Sequence, residues 1–138
     1  MALLHSESIK LGHKAPSFDL PSVDGGRYTL ENFSKKILVV MFICNHCPYV
    51  KAIEDRILQL VRDFEGRGVA FVGICSNDSV NYPDDSPESL KLRWQKKKYG
   101  FPYLVDEDQS VARAYGAVCT PDLYVYNSQH ALAYHGRL

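Results

Sequence analysis

The sequence predicts an α/β fold in which a central mixed β-sheet is flanked by helices. Two segments, 37–43 and 69–74, are continuously apolar and rich in β-branched residues, as strands buried on both faces are. Between them Val50, Ile53, Ile57, Leu60, Val61 and Phe64 recur at helical spacing, and Lys51, Glu54, Asp55, Arg62 and Asp63 fill the other positions. Strand-like and helix-like segments continue to alternate toward the C-terminus, which implies right-handed crossovers and a sheet covered on both sides. At 138 residues, 46% hydrophobic and 23% charged, the chain is long enough to bury its own core, and one domain over residues 1–138 is expected.

Each element has its own signal. Phe18-Asp19-Leu20 and Arg27-Tyr28-Thr29 flank the turn Asp24-Gly25-Gly26 and read as an N-terminal β-hairpin. The strand 37–43 follows, then Cys44-Asn45-His46-Cys47, then the amphipathic helix. Pro48 falls in the first turn of that helix, where a missing N–H does no harm, and the helix ends near Gly66 or Gly68. After the strand 69–74 a polar loop, 76–85, leads to Ser86 as an N-cap and Pro87 as the first helical residue. That helix is expected to reach Tyr99 and stop at Gly100, with Trp94 packing on it and Lys96-Lys97-Lys98 as a solvated end that suits the helix dipole. Tyr103-Leu104-Val105 reads as a short strand and 110–115 as a brief helix closed by Gly116. Segments 123–126 and 131–135 read as an antiparallel hairpin about Asn127-Ser128-Gln129, with Tyr124, Tyr126 and Tyr134 on its faces.

Charge narrows the function classes. Sixteen basic residues balance sixteen acidic ones, so nothing favours nucleic acid or an anionic membrane as the main partner. The longest apolar run, 37–43, is far too short to span a bilayer. Residues 1–16 lack the basic start and long apolar stretch of a secretory signal, so a cytoplasmic location is expected. In that reducing compartment the four cysteines, Cys44, Cys47, Cys75 and Cys119, should not form a permanent framework.

Cys44 and Cys47 stand where a buried strand hands over to a helix N-terminus. Unpaired N–H groups and the helix dipole favour thiolate over thiol there, and a thiolate attacks disulfides or peroxides. A second cysteine one turn away can resolve the mixed disulfide internally. An imidazole beside Cys44, at His46, would stabilise the thiolate further. Structural zinc commonly needs four ligands, whereas only one C-x-x-C pair is present and His130 and His135 have no matching acid, so no metal ligands are assigned. Cys75 ends a strand and reads as a small core residue. Cys119, next to Thr120-Pro121, reads as loop packing, with a third redox thiol as the alternative.

Cys44-Asn45-His46-Cys47-Pro48-Tyr49-Val50 after an apolar strand resembles the active site of the thioredoxin fold. Residues 12–20 (GHKAPSFDL) with Asp24-Gly25 resemble the N-terminal signature of the alkyl hydroperoxide reductase/thiol-specific antioxidant and TlpA/ResA-like branch, and Thr120-Pro121 after Gly116 resembles its cis-proline loop. Ser76-Asn77-Asp78, 82–88 and 101–106 are similar to a subgroup of thioredoxin-like proteins. The resemblance covers about residues 10–138. It implies a thioredoxin-like fold and a thiol–disulfide oxidoreductase in which Cys44 attacks and Cys47 resolves. Asn45 and His46 would assist from within the motif, and Thr120 and Pro121 would face the disulfide and hold substrate backbone. It implies no cofactor. The partners would be a protein or small-molecule disulfide and a reducing system such as thioredoxin or glutathione.

Several positions depart from the pattern. Ile43 stands where thioredoxins carry tryptophan before the first cysteine. The strand 37–43 holds no acid, so the proton acceptor for Cys47 is unassigned. Val40 and Cys44 occupy the proline and threonine positions of the peroxiredoxin pattern, although Cys47-Pro48 resembles its peroxidatic pair. A thiol peroxidase and a metal-binding or delivery module are therefore the alternative functions. The fold's terminal helix is absent, so one sheet face is expected to be covered by chain beyond Leu138 or by another subunit. Pro121 is expected to follow a cis bond within reach of the cysteine pair. Cys44 is expected to be the more exposed thiol with the lower pKa, and His46 is expected to favour its thiolate.

Overall fold

A computed structural model of the chain describes residues 11–77, 81–117 and 120–136. Its elements follow the predicted order. Strands β1 (Asp19–Pro21) and β2 (Arg27–Thr29) form the N-terminal hairpin, and a short 3-10 turn (Leu30–Phe33) follows. Then come β3 (Ile37–Phe42), α1 (Pro48–Asp63), β4 (Val69–Cys75), a 3-10 turn (Pro83–Asp85), α2 (Pro87–Lys97), β5 (Tyr103–Val105), α3 (Ser110–Tyr115), β6 (Asp122–Tyr126) and β7 (Leu132–Gly136). The five-stranded sheet has the order β5-β4-β3-β6-β7. β3, β4 and β5 run parallel, and β6 and β7 are each antiparallel to their neighbours, so the sheet is mixed as expected.

The sheet separates two cores because alternate side chains of a strand point to opposite faces. Leu38, Val40 and Phe42 pack with Phe18, Phe33, Tyr115 and Tyr124 on one side. Val39, Met41 and Ile43 pack with Val50, Ile57 and Leu58 of α1, Leu90 of α2, and Tyr99 and Phe101 on the other. A buried Glu54 joins the two helices of the second face: the Arg93 guanidinium donates to both of its oxygens, at 2.7 and 2.9 Å, and the Tyr99 hydroxyl donates to one of them.

The helix ends fall short of the sequence expectation. α1 stops at Asp63, because the chain turns through Phe64 before the glycines that were read as its end. α2 stops at Lys97, because Lys98 adopts a left-handed conformation and closes the helix before Tyr99. Its start is as expected: Ser86 Oγ accepts from the Ser89 N–H and Pro87 is the first helical residue. Trp94 packs as expected, donating its indole N–H to the Phe101 carbonyl at 2.8 Å. Among the described residues no helix follows β7. An apolar groove of about 290 Å³, lined by residues that include Ile37, Met41, Phe64, Phe71, Val125 and Tyr134, stays open on the α1 side of the sheet. No helix among the described residues is long and apolar enough to cross a membrane.

Candidate redox site

Strand order brings the site together. β3 lies at the centre of the sheet, and the chain leaves its C-terminal end through Ile43 into Cys44. β6 runs antiparallel to β3 with Phe42 opposite Asp122, so the residues entering β6, Thr120 and Pro121, lie beside the residues leaving β3. The Thr120–Pro121 peptide is cis, as expected. Cys44 Sγ lies 3.6 Å from Thr120 Oγ1, a contact in which either group can donate. The Cys47 thiol donates to the Thr120 carbonyl at 3.5 Å. Both sulfurs therefore rest on one residue of the cis-proline loop.

A residue from a third segment completes the site. β4 runs parallel to β3, and the loop after its C-terminal end returns through the 3-10 turn that carries Asp85. The Asp85 N–H donates to the Tyr82 carbonyl, and the side chain is fully buried. Its Oδ1 accepts the backbone N–H groups of Asn45 at 2.6 Å and His46 at 3.2 Å. Its Oδ2 pairs with His46 Nδ1 and accepts from Asn77 Nδ2 at 3.1 Å. The carboxylate thus binds the main chain between the two cysteines and the imidazole at once. Tyr82 stacks flat on the His46 ring, centroids 4.3 Å apart and planes 5° apart, which fixes the ring's orientation. Asn45 Nδ2 donates to the Ser89 carbonyl at 3.0 Å, tying the loop to α2.

Two expectations are corrected. Cys44 is not the more exposed thiol: it is 2% exposed and Cys47 is 5% exposed. Its pKa is not lowered either. Burial pushes the Cys44 thiol up to about 12, and the nearby charges of Asp85 and Cys47 push the same way; hydrogen bonds from Thr120 and the Cys47 backbone oppose the shift. The physical reason lies in the start of the helix. Cys47 is the N-cap of α1 and Pro48 its first residue, so the dipole acts at Cys47, three residues beyond Cys44. His46 is held by Asp85.

Sequence reasoning missed Asp85. A carboxylate in a polar loop is expected to face water, and nothing in residues 82–88 alone signals burial. The available hint was Pro83 and Pro87, which stiffen the loop on both sides of Asp85 just before the Ser86 cap. Cys75 is buried in the same core as the pair, as expected of a packing residue, and burial raises its pKa. Cys119 lies outside the described residues.

The fold is thioredoxin-like: the chain superposes on the thioredoxin domain of a thiol-disulfide oxidoreductase from Bacteroides vulgatus with a TM-score of 0.79 at 17% identity, covering 93% of this chain and 89% of that one. The AhpC/TSA family profile matches residues 11–135, and the chain belongs to that family. Fold and family together make it a redox protein. It is similar to an uncharacterized conserved protein from Geobacillus kaustophilus, 45% identical with a TM-score of 0.94 over 98% of this chain and 72% of that one. It is also similar to a hypothetical protein, SMc02350, from Sinorhizobium meliloti 1021, 43% identical with a TM-score of 0.92 over 96% and 73%. A curated relative from Mycobacterium tuberculosis strain H37Rv, named "Putative peroxiredoxin Rv2521", is 28% identical over 82% of this chain and 68% of its own length.

Proposed function

We propose that the protein is a thiol–disulfide oxidoreductase that works through Cys44 and Cys47 in the reducing direction. The observation that carries this reading is the seating of both sulfurs on Thr120, 3.6 and 3.5 Å away. A substrate disulfide meets two thiols and the cis-proline loop in one place. Cys44 is protonated at rest, so it needs a base at the moment of attack rather than a standing thiolate. The Asp85–His46 pair beside it supplies that acceptor.

The exchange balances in two steps. The Cys44 sulfur attacks one sulfur of the substrate, its proton passes to the His46 side, and the first substrate thiolate leaves. Cys47, at the start of α1, then gives up its proton, attacks Cys44 Sγ and releases the second. Two electrons pass from the dithiol to the substrate, and two protons end on its thiols. A thioredoxin or glutathione system would return the pair to the dithiol. The direction follows from the Cys44 environment. Strong disulfide oxidants stabilise their reduced form as a thiolate, whereas burial and Asp85 do the opposite here.

One observation favours a second reading. Cys47 caps a helix and precedes Pro48, as a peroxidatic cysteine would, and a curated relative is named "Putative peroxiredoxin Rv2521". Disulfide reduction and peroxide consumption, measured side by side on wild type, Cys44→Ser and Cys47→Ser, test both. The oxidoreductase reading expects disulfide reduction that either substitution abolishes, with slow peroxide turnover. Rapid peroxide consumption that survives Cys44→Ser and dies with Cys47→Ser would establish the peroxidase instead.

A further inference from the structure

We propose that the reduced site is a redox-gated binding site for a thiophilic divalent cation of the zinc class, held by Cys44, His46 and Asp85 with Cys47 as the fourth donor. The gating, but not the binding, rests on the oxidoreductase reading above. Cys44 Sγ, a ring nitrogen of His46 and a carboxylate oxygen of Asp85 all lie within 4.8 Å of one another. Donors around tetrahedral zinc stand roughly 3.5 Å apart, given bonds of about 2.0–2.3 Å. The His46 and Asp85 donor atoms are already in contact and would open by about 1 Å, while Cys44 Sγ would close by a similar amount, to make a first coordination shell. Cys47 stands outside that group of three, but its sulfur rests on the same Thr120 as Cys44 and would swing in from there as the fourth donor.

Three features separate this cluster from a chance meeting of polar groups. Asp85 is fully buried, its side chain 0% exposed, beside two buried thiols and a histidine, so the carboxylate is held where a metal ligand would be needed. Its two oxygens are differentiated: Oδ1 accepts from backbone N–H groups, whereas Oδ2 faces side chains only, the His46 imidazole and the Asn77 amide. The outer contacts are already built, since Asn77 donates to Oδ2 and the Tyr82 ring fixes the plane of His46. Such outer contacts orient ligands in metal sites. His46 is 31% exposed, which leaves a path for the ion to enter.

Binding is a ligand exchange without electron transfer. The cation forms bonds to the two sulfurs, the imidazole and the carboxylate; the two thiol protons and the proton shared by His46 and Asp85 pass to solvent. Oxidation removes the site, because both thiolates are consumed in the Cys44–Cys47 disulfide. The donor set of two sulfurs, one nitrogen and one carboxylate oxygen suits zinc over calcium or magnesium.

Zinc chloride and cobalt chloride titrations of the full chain test this, with the protein reduced and separately oxidised. The expected result is one equivalent bound by the reduced protein, a thiolate-to-cobalt charge-transfer band, and no binding after oxidation. Asp85→Asn and His46→Gln should each weaken zinc at least 10-fold against a competing chelator. Circular dichroism checks that both variants fold, and His46→Gln carries the test if Asp85→Asn does not. No metal on the reduced protein, equal binding in both redox states, or wild-type affinity in the variants would overturn the proposal; the last would mean that the bare dithiol suffices. A protein that reduces disulfides yet binds no zinc sinks this inference alone. One that binds zinc as described but forms no Cys44–Cys47 disulfide sinks the oxidoreductase reading and leaves the binding site standing.

Discussion

Burial dominates the raised pKa of Cys44, and Asp85 adds to it although it lies 40 residues from Asn45 in the motif. Its charge raises the Cys44 pKa, while its hydrogen bonds set the loop that holds the two cysteines. Asp85→Asn keeps the acceptor oxygen for the Asn45 and His46 N–H groups and removes the charge. Cys44 alkylation at pH 7, slow in wild type, should therefore quicken about tenfold for each 1.4 kcal/mol of repulsion relieved. The rate of iodoacetamide labelling at Cys44, read by mass spectrometry, checks this. An unchanged rate would leave burial as the whole cause of the raised pKa. The same residue marks the limit of reading this site from sequence. Cys44, Cys47 and Thr120-Pro121 are recognisable because their chemistry depends on short local patterns. Asp85 is not, because its burial is created by a fold that returns a loop over the motif.

The elements that present these residues were legible for a related reason. β3 and β4 announce themselves by unbroken apolar runs, and α1 by its spacing, since burial on both faces or one face is written into periodicity. Even the position of the dipole was available: Pro48 at the first helical position makes Cys47 the N-cap. Helix ends were less legible, because Lys98 closes α2 with a left-handed conformation that lysine does not advertise. Two substitutions probe the framework. A Cβ on Gly73 in β4 would sit 2.9 Å from Phe101 Cε1 and 3.2 Å from Ile43 Cδ1, beneath the strand end that leads to Cys44. Gly73→Ala should cost about 1–3 kcal/mol by overpacking, measured by urea unfolding; a neutral result would show that the Phe101 ring yields freely. Ser86→Ala removes the cap on the Ser89 N–H and should cost about 1 kcal/mol in the same measurement.

At the scale of the whole molecule, burial of the redox thiol couples stability to pH. The folded chain holds the Cys44 proton up to about pH 12, whereas the ordinary value is 9.0. The folded state thus binds more protons than the unfolded state in that window, and stability falls as pH rises through it. The contribution is intact below about 9 and is lost progressively between about 9 and 12. Cys75, Tyr99, Tyr103, Tyr115 and Tyr126 are raised by burial in the same direction, so alkaline unfolding alone would not isolate Cys44. Those groups are common to wild type and Cys44→Ser, and the difference between the two reduced proteins removes them. Wild type should lose stability relative to Cys44→Ser by at most about 1.4 kcal/mol per pH unit, on the order of 1 kcal/mol between pH 8 and 10. Oxidised wild type, whose Cys44 has no proton to lose, should lack this loss. Urea unfolding of the three proteins at pH 7, 8, 9 and 10 reads the slopes directly. A reduced wild type that tracks Cys44→Ser throughout would mean that Cys44 ionises as easily in the folded protein as in the unfolded chain. The base role assigned to the Asp85–His46 pair would then be unnecessary.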